Sequence, residues 1–178
     1  MKENFTIREV RGIKAYKVFH LLHIRTCKRL DISPNPISFY KAIQEELCPK
    51  YANFFFAYMN GRPVAGVIVL KYKDTVYYYS SAMLSKYRRS QVMSLLLWNI
   101  ILWAKDKGFK YFDLLFHPHH KNVNSREYGL YLFKRGFGGE EKRVYHYVKV
   151  KYSLSNVLWN NILIPFYKFY QNLLRGAI

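Results

Sequence analysis

The sequence predicts an α/β protein in which a mixed, mostly antiparallel sheet is flanked by helices. In the middle of the chain, apolar and β-branched runs are separated by turn-forming residues. The spacing of the apolar residues then changes to that of a helix over positions 91–107. A chain of 178 residues, 51% of them hydrophobic, can bury a substantial core. We therefore expect a single domain over residues 1–178.

The central runs predict a meander of three antiparallel strands. The first two strands, Ala52–Met59 and residues 64–72, flank Asn60-Gly61, the dipeptide most typical of a tight hairpin. Lys73-Asp74 forms the next turn, and residues 75–81 form the third strand. Connections this short join antiparallel neighbours.

Helices and further strands surround the meander. Residues 91–107 are apolar on nearly all sides, which is typical of a buried helix, and Gly108 follows at a position where helices end. Two earlier helices are predicted at Ile13–Leu30 and from Ser38, the expected N-cap, to Leu47. The other predicted elements are strands at 5–10, 111–116 and 143–152, a short helix at 128–137, and a C-terminal amphipathic helical segment within 151–178, kinked at Pro165.

The charge of the chain is large and unevenly distributed. Lysine and arginine total 29 against 11 acidic residues, which gives a net charge of +18. No acidic residue occurs between Asp74 and Asp106, and none follows Glu141. This excess predicts a polyanionic partner: a nucleic acid, a phosphorylated small molecule or an anionic lipid. The alternative is that the basic residues only keep an aromatic-rich protein in solution.

Composition excludes several classes of protein. An aromatic content of 19% argues against disorder. The two cysteines, Cys27 and Cys48, are too few for a disulfide scaffold or a zinc site, and both are expected to be reduced. The N-terminal residues lack the apolar stretch of a secretory signal, and no apolar run reaches the roughly 20 residues of a membrane span. The expected location is the cytoplasm.

A basic segment precedes the long helix. Lys86, Arg88, Arg89 and Ser90 lie just before its predicted first turn. Free backbone N–H groups and the positive end of the helix dipole favour anions at such a position. We therefore predict a phosphate-binding site there. The alternative is a solvated basic loop with Ser90 as the N-cap.

Several short motifs between Asn60 and Gly139 occur in a characteristic order. They are Gly61-Arg-Pro-Val-Ala-Gly, Tyr78-Tyr-Ser-Ser-Ala, Leu95-Leu-Leu-Trp, Ala104-Lys-Asp-Lys-Gly, Tyr111-Phe-Asp-Leu and Gly129-Leu-Tyr-Leu-Phe-Lys-Arg-Gly-Phe-Gly-Gly. In order and spacing they resemble the C-terminal acyltransferase domain of the FemAB family, which builds peptidoglycan peptide bridges. The order of elements is also that of the GNAT acyltransferase fold.

The resemblance implies transfer of an acyl or aminoacyl group from a phosphorylated carrier to an amine on a cell-envelope precursor. The carrier would be a charged tRNA or a CoA thioester, used as a substrate rather than held as a tightly bound cofactor. FemAB-like proteins usually contain two related domains, which implies a second domain or subunit. Residues 88–93 lack the glycine that acetyl-CoA-dependent GNAT enzymes carry before the central helix, and this departure weighs against acetyl-CoA.

The resemblance makes Lys134 the best catalytic candidate, because a cation could stabilise an oxyanion or hold a phosphate. Asp113 ends the strand after the long helix, where it could orient the amine or accept its proton; a salt bridge or a loop cap is the alternative.

The cleft is expected to be lined by Tyr79, Ser81, His117 and Tyr131, although the tyrosines could be ordinary packing. His117-Pro-His-His120 has no accompanying carboxylate or thiol pair, so we predict no metal there. Acid–base work by a histidine and a plain exposed loop both remain open for this segment.

Other functions remain open at this point. One is a nucleic-acid-binding module without catalysis, and another is a non-catalytic half or subunit of a two-domain transferase. The C-terminal amphipathic segment has two interpretations: packing on the sheet, or shallow insertion into an anionic membrane. The second would place the protein at the inner face of the membrane.

Overall fold

The computed structural model describes residues 4–115, residues 126–145 and position 161. The chain divides into two compact units, residues 1–139 and residues 140–178. Within the second unit, residues 140–145 form no helix or strand, so the start of the strand predicted at 143–152 is wrong. The rest of that strand and most of the predicted C-terminal segment at 151–178, including Pro165, lie outside the described residues. The prediction of one domain over 1–178 stays a prediction.

Five strands form one sheet in the order β1-β2-β3-β4-β5. The elements in chain order are β1 (Thr6–Val10), α1 (Ile13–Leu30), α2 (Ile37–Ala42), β2 (Ala52–Met59), β3 (Arg62–Tyr72), β4 (Thr75–Met83), α3 (Val92–Asp106), β5 (Tyr111–Asp113) and α4 (Arg126–Arg135). Neighbouring strands are antiparallel from β1 to β4, and the β4/β5 pair is parallel. The fold class, a mixed and mostly antiparallel sheet flanked by helices, is confirmed.

The β2–β3 hairpin turns at Asn60-Gly61, as predicted. Both residues have positive φ, 50° and 75°. A two-residue turn of this kind requires left-handed backbone at both positions, which asparagine and glycine tolerate best. The turn fixes the register of β2 against β3.

The sheet separates two apolar layers because its central strands are apolar on both faces. Alternate residues of a strand point to opposite faces, so Phe54 and Phe56 lie on the α1 side while Phe55 and Ala57 lie on the α3 side. On the α1 side the fully buried partners include Phe19 and Tyr40. On the α3 side they are Val92, Leu96, Leu97 and Ile100.

Helix α3 is buried on one side only, so the prediction of burial nearly all round is wrong. Leu95, Trp98 and Leu102 are 39%, 49% and 41% exposed. They are spaced three and four residues apart and therefore share one face of the helix. Helical spacing places the buried residues on the opposite face, against the sheet.

The start of α2 and the end of β5 differ from the sequence prediction, whereas the glycine after α3 behaves as predicted. Pro36, not Ser38, is the N-cap of α2, and α2 continues as one π-helical turn over Ile43–Leu47. β5 ends at Asp113 because the Asp113 carboxylate accepts the Leu115 N–H at 2.6 Å, which turns the chain, and Leu115 has φ 59°. Gly108 has φ 82°, the left-handed conformation favoured after a helix, as predicted.

Helix α1 carries two histidines into the apolar layer beside Tyr40. The Nδ1 atoms of both His20 and His23 are buried and have no hydrogen-bond partner among the described residues. His23 Nε2 lies 3.1 Å from the Cys27 thiol, and Cys27 and Cys48 are both free thiols. Burial lowers the pKa of His23, and positive charge on His20 lowers it further. The folded chain therefore favours neutral His23.

Gly66 lies under two aromatic rings, and its replacement by alanine is expected to destabilise the fold. A Cβ there would lie 2.9 Å from the Phe56 ring and 3.2 Å from the Phe19 ring. We expect Gly66→Ala to lower the free energy of unfolding by about 1–3 kcal/mol in urea titrations. Gly129→Ala is the matched control, because a Cβ at that helical position meets nothing within 4 Å. Equal stability of the two variants would contradict this packing.

Acid is expected to weaken the fold through His23. Since the folded pKa lies below the unfolded value of about 6.5, the unfolded chain binds more protons between the two, and stability is lost as pH falls through this window. Urea unfolding at pH 7.5 and pH 5.5 measures the loss. His23→Leu should retain more of its stability at pH 5.5 than the wild type retains. Identical pH dependence in the two proteins would rule out His23 as a cause.

Candidate functional site

Strands β4 and β5 separate soon after they meet. Only Thr75–Tyr77 of β4 pairs with Tyr111–Asp113 of β5. β4 continues to Met83, and on that edge residues 78–83 have no paired strand within the described part of the chain. Parallel strands that diverge at their carboxyl ends leave a crevice, the usual place for a ligand in a mixed sheet.

A β-bulge lies at this point of β4. Ile68 pairs with Ser80 and Val69 pairs with Tyr78, so Tyr79 is the extra residue. Tyr79 is 40% exposed, whereas its neighbour Tyr78 is buried. A bulge redirects side chains and increases the local twist, and this one lies where β4 leaves β5.

Ser81 is held by the buried tyrosine next to the bulge. The Tyr78 hydroxyl donates a hydrogen bond to Ser81 Oγ at 2.6 Å. Burial raises the pKa of Tyr78 to about 12, although the bond to Ser81 opposes the rise. Of the two cleft-lining residues predicted on β4, Tyr79 is therefore open to solvent, and Ser81 satisfies a buried hydroxyl.

The first turn of α3 is uncapped by any side chain. Gln91 is the N-cap and forms no side-chain capping bond, and no acidic residue lies in the first turn. Ser90 is not the cap, which corrects that alternative, because its hydroxyl donates to the Tyr87 carbonyl at 2.7 Å. The backbone N–H groups at the start of this 15-residue helix thus keep their capacity for an external acceptor.

An open cavity of about 1430 Å³ lies against this helix start, and we call it the basic groove. It is lined by three segments: the chain before β1, the turn and first residues of α3, and the turn after α4. The lining residues are Asn4, Phe5, Lys86, Arg89, Ser90, Gln91, Ser94, Leu95, Trp98, Gly136, Phe137 and Gly138. Two are cations and none is acidic, so the groove suits an anionic ligand with an apolar portion.

Lys134 and Asp113 meet at the turn that ends β5. The Lys134 ammonium donates to the Leu115 carbonyl at 3.3 Å, and the Asp113 carboxylate accepts the N–H of the same residue. Lys134 is only 7% exposed. Burial lowers the pKa of Lys134, and the nearby Asp113 charge opposes this. The pair thus ties the last turn of α4 to the end of β5.

The structure brings some predicted site residues together and leaves others apart. Lys86, Arg89 and Ser90 line the basic groove, whereas Arg88 is exposed and does not. Lys134 lies outside the lining, but Gly136–Gly138, immediately after α4, are part of it. The Tyr131 hydroxyl accepts a hydrogen bond from Arg135 at 3.0 Å. His117 lies outside the described residues.

Sequence reasoning missed Leu95 and Trp98 as groove-lining residues. Both were assigned to the core of a buried helix, yet they face the groove. The polar residues Ser94 and Asn99 interrupt the apolar run, and they were the only sequence signal that this side of α3 is open. Gly136 and Gly138, after α4, also line the groove and were not predicted to do so.

The described residues show neither a metal centre nor a membrane-spanning helix. In the described parts of the chain, no group of three or more His, Cys, Asp or Glu side chains converges as a metal site would require. No helix described there has both the length and the apolar character to span a bilayer.

Comparison with known families identifies the class. Residues 8–122 match the profile of the family described as "Acetyltransferase (GNAT) domain". The match extends over more than half of the chain. The chain therefore belongs to the GNAT acetyltransferase domain family, and the protein is an acyltransferase.

Solved structures share the fold at low sequence identity. FemX matches with a TM-score of 0.67 and 14% identity over 75% of this chain, which spans 50% of FemX. The ribosomal-protein-S18-alanine N-acetyltransferase from Escherichia coli matches with a TM-score of 0.61 and 15% identity, covering 79% of this chain and 80% of that one. The aminoglycoside N-acetyltransferase AAC(6')-Iy, solved with CoA, matches with a TM-score of 0.60 and 18% identity. The match covers 82% of this chain and 95% of that one. A search of curated proteins found no significant match.

Removal of the Ser81 hydroxyl is expected to destabilise the protein. In Ser81→Ala the buried Tyr78 hydroxyl loses its acceptor, which costs roughly 1–3 kcal/mol. Ser80→Ala is the matched control, since Ser80 forms no hydrogen bond with its side chain in the described structure. Thermal and urea unfolding of both variants measure the difference. A Ser81→Ala protein as stable as Ser80→Ala would show that the bond contributes nothing.

Proposed function

We propose that this protein is a FemAB-like transferase that moves an acyl or aminoacyl group from a phosphorylated carrier to an amine, with a cell-envelope precursor as the acceptor. The basic groove carries the proposal: it combines an uncapped helix start with two cations and no acidic residue. The similarity to FemX supports a FemAB-like function within the GNAT family, and the sequence motifs agree with this.

The groove suits the carrier end of the donor. Phosphate oxygens would accept hydrogen bonds from the N–H groups at the start of α3 and be neutralised by Lys86 and Arg89. The apolar side chains of Leu95 and Trp98 would contact the non-phosphate part. Both proposed carriers, charged tRNA and a CoA thioester, present phosphates. AAC(6')-Iy, with the same fold, was solved with CoA, which favours a thioester.

The reaction is an acyl substitution. The acceptor nitrogen attacks the acyl carbonyl, a C–N bond forms, and the bond from the acyl carbon to the carrier sulfur or oxygen breaks. The nitrogen loses a proton and the departing thiol or hydroxyl gains one. Tyr79, exposed at the bulge where β4 leaves β5, stays a proposed cleft-lining residue.

Lys134 and Asp113 hold the end of β5 in this scheme. Their shared contact with Leu115 fixes the turn at which β5 ends and the crevice between β4 and β5 begins. The Lys134 charge would also add positive potential at a developing oxyanion, which is the role that the family resemblance assigns to it. His117 and Tyr131 stay proposed cleft-lining residues.

A second candidate is the non-catalytic half or subunit of a two-domain transferase. The observation that favours it is the coverage of FemX, since this chain spans half of that protein. Under this alternative the purified chain binds a donor but transfers nothing until a partner is added. Transfer by the chain alone therefore separates the two candidates.

The proposed substrates place the protein in the cytoplasm, at the inner face of the membrane where envelope precursors are assembled. The basic C-terminal segment would provide the contact with anionic lipid.

Mass spectrometry of the acceptor identifies the donor directly. The purified chain is incubated with an amine acceptor and either acetyl-CoA or an aminoacyl-tRNA, and the mass added to the acceptor is read. Either added mass supports transferase activity and names the carrier. No added mass from either donor, with or without a second subunit, would contradict the proposal.

Loss of the groove cations should weaken donor binding. We expect Lys86→Gln with Arg89→Gln to raise the donor Kd roughly tenfold or more, because each removes a charge-assisted contact. Lys105→Gln, an exposed lysine at the other end of α3, controls for net charge and should leave Kd unchanged. Calorimetric titration measures all three proteins. Equal Kd in the double variant and wild type would remove the groove from the donor site.

Replacement of Lys134 should lower turnover strongly while changing the stability of the fold little. Lys134→Met keeps the length of the buried side chain. It removes an ammonium that burial disfavours but also the bond to the Leu115 carbonyl, so the two effects oppose each other and stability should change little. Turnover should fall about 100-fold, the scale of losing one charge-stabilising group. Lys107→Met, at an exposed position, is the control. A Lys134→Met enzyme with full turnover would exclude Lys134 from the reaction.

A further inference from the structure

A second, smaller cavity lies on the α1 side of the sheet. It has a volume of about 230 Å³ and is formed by β1, the start of α1 and the β2–β3 hairpin. Its lining residues are Thr6, Arg8, Val10, Lys14, Tyr58 and Gly61. None of them lines the basic groove. We call this cavity the β1 pocket.

The β1 pocket has two cations and no acid in its lining. Arg8 and Lys14 form no ion pair with any acidic residue that the structure describes. Glu9, the nearest carboxylate in sequence, is occupied by Arg11 and Asn53, each at 2.8 Å. The Arg8 guanidinium instead lies 5.7 Å from the centre of the Tyr58 ring. An anion between Arg8 and Lys14 would remove their mutual repulsion.

Tyr58 brings an unused hydroxyl to the pocket. The side chain is only 7% exposed, and its hydroxyl makes no hydrogen bond with the described residues. Burial raises the pKa of Tyr58 and the Arg8 charge opposes the rise, so the hydroxyl remains a proton donor at neutral pH. Thr6 is the register partner of Tyr58 and therefore lies on the same face of the sheet. The hydroxyl therefore offers a hydrogen-bond donor that a bound acceptor can use.

The start of α1 adds backbone donors to the same wall. This 18-residue helix has Gly12 as its N-cap, with no side-chain capping bond and no acidic residue in the first turn. Lys14, in that first turn, lines the pocket. The helix dipole there favours negative charge, and the Tyr58 hydroxyl and the unpaired Arg8 point independently to the same kind of ligand.

We propose that the β1 pocket binds the dianion of a phosphate monoester. Two cations match two negative charges, and the hydroxyls and helix N–H groups supply the donors that tetrahedral oxygens accept. The volume is below the roughly 300–1,000 Å³ of pockets that enclose whole drug-sized ligands, so the pocket holds one phosphate group and its ester link. The site is separate from the basic groove and does not rest on acyl transfer.

The test is a titration of the full-length, ¹⁵N-labelled chain with inorganic phosphate at pH 7.5, followed by amide chemical shifts. Saturable shifts are expected at Lys14, Ala15 and Gly61. Tyr58→Phe should weaken binding roughly tenfold through loss of one bond to a charged acceptor. Arg8→Gln with Lys14→Gln should abolish the shifts at Ala15 and Gly61. Absence of saturable shifts at these amides in the wild type overturns the proposal.

Two controls separate this site from non-specific attraction and from the basic groove. Lys17→Gln removes an exposed charge from α1 outside the pocket and should leave the phosphate affinity read at the Ala15 and Gly61 amides unchanged. Lys86→Gln with Arg89→Gln alters the basic groove and should leave the shifts of those two amides unchanged. If Lys17→Gln weakens binding as much as the pocket variants do, the effect is general charge and the site is refuted.

The source of the phosphate is distinguished by two further probes. Glycerol 3-phosphate, a monoester, should shift the same amides, and dimethyl phosphate, a diester with one charge, should bind at least tenfold more weakly. Equal binding of the diester would overturn the monoester assignment in favour of a nucleic-acid backbone.

Discussion

The short parallel pairing of β4 with β5 is the constraint on which the site depends. Only Thr75–Tyr77 and Tyr111–Asp113 pair, and the chain reaches β5 through α3. Because α3 starts where β4 ends, its N-terminus lies at the carboxyl end of β4. The Asp113–Leu115 turn stops β5, and Lys134 holds that turn from α4. A longer β5 would extend the pairing along residues 78–83 of β4 and close the crevice between the two strands.

Electrostatics and fold agree at this end of the sheet. The interval without acidic residues, between Asp74 and Asp106, contains the turn and the first residues of α3 that form the basic groove. The β2–β3 hairpin lies at the same end, because Ala65 pairs with Met83 at the end of β4. The β1 pocket at that hairpin adds Arg8 and Lys14. The net charge of +18 thus has at least two local concentrations, and each is a proposed anion site.

Local patterns predicted the fold well because local chemistry decides those elements. Asn60-Gly61 determines its own turn, and helical spacing places α1 at Ile13–Leu30 as predicted. Boundaries set by contacts between distant residues were not predictable. The bulge at Tyr79, for example, depends on pairing with β3. The early end of β5 has a local cause, because the Asp113 carboxylate accepts the N–H two residues further on. Which face of α3 stays exposed depends on what packs against the helix, and the spacing of apolar residues in the sequence does not show this.

The site was predicted only where the signal is also local. Basic residues before a helix predicted a phosphate site at Lys86, Arg88, Arg89 and Ser90. All but Arg88 line the groove, and phosphate binding there stays a prediction. Arg88, adjacent in sequence, does not line the groove, because neighbouring residues in a turn point in different directions. The β1 pocket was not predicted, because its two cations lie on β1 and α1 and its tyrosine hydroxyl comes from β2.

The central claim is that the start of α3 binds the phosphates of the acyl donor. The most direct measurement is a map of amide chemical shifts with CoA and with pantetheine, which lacks its phosphates, and in parallel with a charged tRNA acceptor-stem mimic. A phosphate-bearing donor is expected to shift the amide resonances of Gln91, Val92 and Met93, and pantetheine is expected to leave them unchanged. Donor binding that leaves these amides unchanged while shifting residues elsewhere in the sheet would contradict the central claim.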